Sequence, residues 1–236
     1  MKSKVQLVGS TKGEGKYKNL NHEEIISAIA RHGIIKEDQG KLIKYLMDNA
    51  HWSPLDMVDF IFEIETSRAI GRQWLRHASI KPQEHSQRYS DRVLFENIEL
   101  RLEDKVNRQS STEVIAVIHN DLEGGKPLGT HTRLERIPQD FLTDIENLLL
   151  NVREVYERGI ELGIAKECMR NILPECTTST LTFKGSVRSW LSFLNVRCDH
   201  HAQKEIQELA LLVGEELERK LPNVFSRIDW RKGMFM

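Results

Sequence analysis

The pattern that most limits the fold of this chain is a change of hydrophobic period just after His51-Trp52-Ser53-Pro54. Before that turn, apolar residues recur at helical spacing, with Ile25, Ile26 and Ile29 in one segment and Leu42, Ile43, Leu46 and Met47 in the next. After it, Val58, Phe60, Phe62 and Ile64 alternate with Asp59, Glu63 and Glu65. Alternation by two sends successive side chains to opposite faces of a strand, so this segment has one apolar face that another layer must cover. Helices and sheet must therefore share a core.

Other elements follow from local chemistry. Asn21 with Glu24 three residues later predicts a capping box at the start of the first helix, and Gly33 is suited to end it. Ile98, Leu100 and Leu102 alternate with Glu99, Arg101 and Glu103, and residues 113–119 predict a third strand. Pro138 is suited to the first turn of a long helix through Phe141, Ile145, Leu148, Val152 and Val155, ended by Gly159. Shorter helical patterns follow at 164–173 and 187–197, and a last one at about 202–220. Pro82 and the Gly-rich, polar stretch from Asp121 to Thr130 predict loops. With 236 residues, 39% of them hydrophobic, one domain spanning 1–236 is expected. Its class is α+β, with helices packed on a mostly antiparallel sheet.

Charge narrows the partners. Thirty-four Lys and Arg oppose 35 Asp and Glu, leaving a net charge of −1 and no global field to attract nucleic acid or a membrane surface. An anionic ligand must be held by a local group of arginines. Cys168, Cys176 and Cys198 are odd in number and contain no Cys-x-x-Cys pair, so reduced thiols are expected, with neither a disulfide framework nor a metal site. The first residues have no apolar run of signal-peptide length, and no segment nears the ~20 apolar residues of a membrane span. A cytoplasmic protein is expected.

The chemistry concentrates in residues 72–90, RQWLRHASIKPQEHSQRYS. Arg72 and Arg76 are one helical turn apart, as are Gln73 and His77. Glu84, Ser86, Gln87 and Arg88 then fall within five residues. Arg170 and Arg197 lie in later helical segments. A planar guanidinium binds a phosphate or a pyrimidine edge through two parallel hydrogen bonds. By spacing alone, however, such arginines read as solvated surface.

The segments HWSPLDMVDFIFEIETSRAIGRQWLRH and QEHSQRYS resemble the defining region of the flavin-dependent thymidylate synthases. In that family a strand leads into a helix ending in Arg-His-Arg, and a fixed gap precedes Glu-x-Ser-x-Arg-Tyr. Arg76, His77, Glu84, Ser86, Arg88 and Tyr89 occupy those places. The resemblance continues through GIAKECMRNILP (163–174), GSVRSWLSFLNVR (185–197) and HAQKEI (201–206), covers most of 45–230, and weakens near 108–136.

The resemblance implies the family fold and a dUMP site at Gln73, Trp74, Leu75, Arg76, Glu84, His85, Ser86, Gln87, Arg88, Arg170 and Arg197. Arg197 matches the arginine that favours ionised N3 of the pyrimidine, making C5 more nucleophilic, and it is the expected catalytic residue. Ser86 has no base nearby in sequence and is expected to bind. FAD is expected at Ser53, Arg76, His77, Ala78, Glu84, Ser186, Val187, Arg188, Ser192 and His201. No Gly-x-Gly-x-x-Gly segment supports a Rossmann reading. The resemblance further implies methylenetetrahydrofolate as carbon donor, NADPH as reductant, and a homotetramer whose sites are shared between subunits.

Ala78 departs from the family, standing where the triplet has its second arginine. Losing one charge-assisted contact to FAD costs roughly 1.5–3 kcal/mol. Lys81, three residues on, is placed to replace the charge. Ser186 and Ser192 stand where many members have Asn. Two alternatives to full dUMP methylation stay open at this level. One is a related flavin- and folate-dependent modification, such as hydroxymethylation or the use of dCMP. The other is a catalytically silent nucleotide-binding paralogue.

Overall fold

The computed structural model describes residues 3–36, 38–86, 88, 93–107, 110–119, 130–132 and 137–233. In chain order its elements are β1 (Lys4–Ser10), α1 (His22–Ala30), α2 (Gln39–Asp48), β2 (Asp59–Ser67), α3 (Arg68–Leu75), β3 (Lys81–Glu84), β4 (Ile98–Glu103), β5 (Ser111–Ile118), β6 (Thr130–Thr132), α4 (Gln139–Glu161), α5 (Lys166–Met169), β7 (Thr178–Ser186), α6 (Val187–Arg197), α7 (Lys204–Lys220) and α8 (Pro222–Phe225). One sheet has the order β1-β2-β7-β3 and a second the order β4-β5-β6, whose pairs are antiparallel. The class is α+β. Among the described residues, no helix is long and apolar enough to cross a membrane.

The chain separates into two compact units. The first comprises Met1–Lys4, Glu65–Arg72 and Glu84–Leu181, and the second Val5–Ile64, Gln73–Gln83 and Thr182–Met236.

In the second unit, β2 shows the predicted alternation, with Phe60, Phe62 and Ile64 fully buried between half-buried neighbours. The predicted capping box is present at α1, where Asn21 Oδ1 accepts from the Glu24 amide and Glu24 Oε2 accepts from the Asn21 amide. Gly33, at φ 88°, takes the left-handed conformation just beyond that helix. An aromatic cluster anchors the core: Trp74 lies 4.2 Å from Phe193 and 5.1 Å from Phe183, and Trp190 lies 5.0 Å from Phe62. Such pairs each add about 0.5–1.5 kcal/mol beyond the area they bury. They fix the end of α3 against α6, which is the scaffold for two site residues.

In the first unit, α4 covers Val93 and Phe95 with Leu149 and Tyr156. Here the structure departs from the sequence reading. Phe141, Leu148 and Val155 are 51%, 60% and 48% exposed, while Leu142, Leu149 and Tyr156, one position on, are buried. Both rows are apolar and seven residues apart, so periodicity alone does not choose between them; the helix turns by about 100° per residue, and packing selects the second row. Nor does Gly159 end the helix, which continues to Glu161. Gly159 is buried inside the helix, where the Met169 side chain packs so closely that an added Cβ would lie 2.5 Å from its sulfur. Gly163, at φ 78°, marks the helix end instead.

Further expectations need correction. Lys81–Glu84 is a strand, not a loop, and its edge position tolerates Pro82, which has no amide hydrogen to pair. The strand β7 was unforeseen because two of its four inward positions are Ser179 and Gly185, which weakens the apolar alternation. β1, also unforeseen, has no buried residue. The helical pattern at 164–173 condenses to the single turn of α5 and a 3-10 turn at Arg170–Ile172. β4 is half-buried along most of its length rather than alternating. Of the predicted 121–130 loop, residues 121–129 lie outside the described residues and Thr130 opens β6.

Candidate functional site

In the first unit, Arg68, Glu84, His85, Ser86 and Arg170 line a cleft of about 240 Å³. Each reaches it for a local reason. Arg68 opens α3, directly after the last residue of β2. Glu84 ends β3, and its Oε1 accepts a hydrogen bond from Ser179 Oγ at 2.9 Å. The His85 amide donates to Thr180 O at 2.9 Å, which pins the loop against β7. Ser86 Oγ accepts from the Arg88 amide at 3.3 Å, a turn that holds the hydroxyl. Arg170 opens the 3-10 turn after α5. Arg88 itself points to Glu167 at 3.7 Å. Gln87 and Tyr89 lie outside the described residues.

In the second unit, Arg197 ends α6 and reaches the end of α3. Its Nε donates to His77 Nε2 at 2.8 Å, and its terminal nitrogens donate to Gln73 Oε1 at 3.4 Å and Gln73 O at 3.1 Å. The Gln73 carbonyl is in the last turn of α3, where unpaired carbonyls and the helix dipole favour a cation. Burial and then the Arg197 charge push the His77 imidazole down to about 4. It is neutral at pH 7, and because Nε2 accepts from Arg197, its proton sits on Nδ1. Burial and then Arg76 likewise lower the Arg197 guanidinium from its usual range. Arg197 thus contacts only neutral partners, and among the described residues no carboxylate pairs with it. Gln73 is held from the other side by Gln203, 2.7 Å away.

A third group forms at the start of α6. Ser186 Oγ accepts from the Ser189 amide as the helix cap and donates to Asp56 Oδ1 at 2.8 Å. Arg188 reaches Asp56 Oδ2 at 3.2 Å. Ser53 and Ser192 are exposed, as are Arg76 and Ala78. His201 pairs with Asp199 Oδ1 at 2.7 Å, and the carboxylate is held below its usual range chiefly by the His201 amide. With His200 these side chains place ligand-type atoms within 4.8 Å of one another, but both imidazoles are exposed and the carboxylate already orients His201. Trp74 and Val187 are 1% exposed, so their side chains belong to the core and these positions offer a ligand only backbone groups. Leu75 is exposed.

Sequence reasoning did not identify Arg68, Asp56, Ser179 or Gln203. Arg68 carried a usable signal, a cation at a strand-to-helix junction. Asp56 and Ser186 are 130 residues apart, and no local pattern links them.

The model of the thymidylate synthase complementing protein family matches residues 10–223. The flavin-dependent thymidylate synthase of Synechocystis sp. is 37% identical over 190 residues, covering 80% of this chain and 80% of that relative. The probable flavin-dependent thymidylate synthase of Paramecium bursaria Chlorella virus 1 is 31% identical over 220 residues, covering 88% and 91%. That of Kosmotoga olearia is 33% identical over 193 residues, covering 80% and 76%. With a cationic cleft and an arginine that has no carboxylate partner among the described residues, in a chain matched over most of its length, the protein belongs to the thymidylate synthase complementing protein family, that of the flavin-dependent thymidylate synthases.

Proposed function

We propose that the protein methylates dUMP to dTMP, using FAD, with methylenetetrahydrofolate as carbon donor and NADPH as reductant. The observation that carries this reading is Arg197: a half-buried guanidinium fixed by three hydrogen bonds to neutral partners, with its charge left for a ligand. Opposite charges 4 Å apart attract by about 4 kcal/mol at an effective dielectric of ~20. That is equivalent to roughly three pH units in favour of an ionised pyrimidine N3. Neutral His77 contributes by holding Arg197 in place without cancelling its charge. The cleft arginines, with Ser86 and Glu84, are suited to the phosphate and sugar of a nucleotide.

The residues assigned to the flavin fit an anionic dinucleotide. Arg76, Arg188, Ser53 and Ser192 present exposed donors, a set that suits a diphosphate. Asp56 holds Ser186 and one edge of Arg188, which leaves the remaining guanidinium nitrogens for the ligand. When bound, FAD supplies the two-electron redox chemistry that no side chain here provides. Ala78 contributes no charge, and Lys81, exposed in β3, is the first cation that follows it in sequence.

A homotetramer is supported by α4. Phe141, Leu148, Val155 and Leu162 recur every seven residues and are 51%, 60%, 48% and 71% exposed, a stripe suited to a second copy of the chain. The family match runs through both units, which we take as one functional domain. The test is to incubate the protein with NADPH, methylenetetrahydrofolate and either dUMP or dCMP, and to weigh the nucleotide product. dTMP from dUMP is expected; a hydroxymethylated product, or turnover of dCMP alone, would contradict the proposal.

A further inference from the structure

The segment Trp230–Gly233 lies past residue 223, where the family match ends, yet it packs on the part of the second unit that presents Arg197. Trp230 anchors it. The indole is 1% exposed, meets Phe225 edge-on at 5.7 Å and rests on α7, where a Cβ added at Gly214 would overlap the ring. A glycine weakens a helix interior, and here its place in α7 is explained by the ring that it admits. The Arg231 guanidinium stacks 4.3 Å from the Trp230 ring and pairs with Glu218 of α7 at 2.7 Å. Both of those charges are partly exposed, so the buried indole and not the ion pair carries most of the attachment.

A 3-10 turn then brings Gly233 onto the end of α6. Gly233 is buried at φ 64° and ψ −173°, a conformation that residues with a Cβ rarely adopt. A Cβ there would lie 2.6 Å from the Asp199 amide nitrogen and 2.9 Å from Asn195 O. Both neighbours are backbone atoms, so neither can swing aside, and the end of α6 would have to move. They bracket Arg197 by two residues on either side. The same turn carries Asp199, which orients His201 at 2.7 Å, and Gln207 of α7 ties it down by donating to Cys198 O and Asp199 O, both at 3.1 Å. Arg197 has little slack. A shift of about 0.5 Å would stretch its 2.8 Å bond to His77 toward the limit and break the 3.4 Å bond to Gln73 Oε1.

We infer that Trp230–Gly233 is a clasp on the α6–α7 turn, and that Gly233 is a positioning residue for Arg197, acting through the backbone it presses on. This rests on the proposed dUMP chemistry only for the ligand used to read it. The test compares the assembled full chain as wild type, Gly233→Ala, Trp230→Leu and Gly15→Ala, by calorimetric binding of dUMP and by NMR titration of the His77 ring. Gly15, at φ 56°, has open space around it, so Gly15→Ala adds backbone strain of the same kind without a steric clash. Gly233→Ala should raise the Kd for dUMP about 10–100-fold, the scale of one charge-assisted contact. It should also move the His77 titration up from about 4, as Arg197 draws away from the ring. Trp230→Leu should do both more weakly, and Gly15→Ala neither. An unmoved His77 in Gly233→Ala would overturn the inference whatever the dUMP affinity, as would equal effects in Gly233→Ala and Gly15→Ala, the mark of general destabilisation. Should Gly233→Ala fail to fold, Trp230→Leu decides by the same two readings. A wild type that ignores dUMP, while His77 shifts in Gly233→Ala alone, would support the clasp and refute the dUMP chemistry.

Discussion

Replacing Arg197 with methionine separates the two causes that keep His77 neutral. Burial and the guanidinium, whose Nε is 2.8 Å from His77 Nε2, together bring the imidazole from 6.5 to about 4. Burial is the larger cause, so removing the charge should return less than half of the difference, about one pH unit. The ring should then titrate near about 5, still well below an ordinary histidine. The sign for stability follows: a folded pKa below the unfolded one means that the unfolded chain takes up the proton first. His77 thus favours the fold fully above about 6.5, and that contribution is lost as pH falls toward about 4. Arg197→Met narrows this window from below. Histidine ring resonances followed by NMR against pH, with His77→Gln as the assignment control, read the value directly. An imidazole that titrates near 6.5 in the wild type, or one that Arg197→Met leaves unmoved, would refute the arrangement. The fold itself should lose only about 0.5–1.5 kcal/mol, because the lost hydrogen bonds are offset by relief of repulsion with Arg76.

Nucleotide affinity should respond more strongly than stability: Arg197→Met should weaken dUMP binding by about one to two decades, measured by calorimetry. Ala78→Arg should tighten FAD binding by a similar factor, and Lys81→Ala should weaken it only in the Ala78 background; the pair is read as a double-mutant cycle in flavin titrations. Leu148→Glu places a charge on the exposed stripe of α4 and should lower the oligomeric state seen by sedimentation, with helical circular dichroism unchanged. Mixing inactive Arg88→Ala and Arg197→Ala chains should restore some activity if sites are shared; hybrids that form but stay inactive would count against sharing.

The sequence was most legible where chemistry is local. The capping box of Asn21 and Glu24, the alternation from Phe60 to Ile64 and the family motif around His77 all depend on residues close together in the chain. It was least legible where two patterns compete. Adjacent apolar rows on α4 hid which face is buried, and a small inward residue at Gly185 hid β7. Individual site residues such as Gln73, His77 and Arg197 could be named in advance through resemblance. Their mutual geometry could not, because His77 and Arg197 meet across 120 residues. Asp56 and Arg68 were missed for opposite reasons. Asp56 works through a distant partner, whereas Arg68 lines its cleft with no ion-pair partner among the described residues.

An anaerobic absorbance titration of the purified protein tests the proposed flavin-dependent methylation most directly. The protein should be yellow, or turn yellow when FAD is added, and its flavin band should bleach with NADPH. The band should return when dUMP and methylenetetrahydrofolate are supplied together, with dTMP formed in equal amount. Failure to bind flavin, or reoxidation by those substrates with no dTMP, would contradict it.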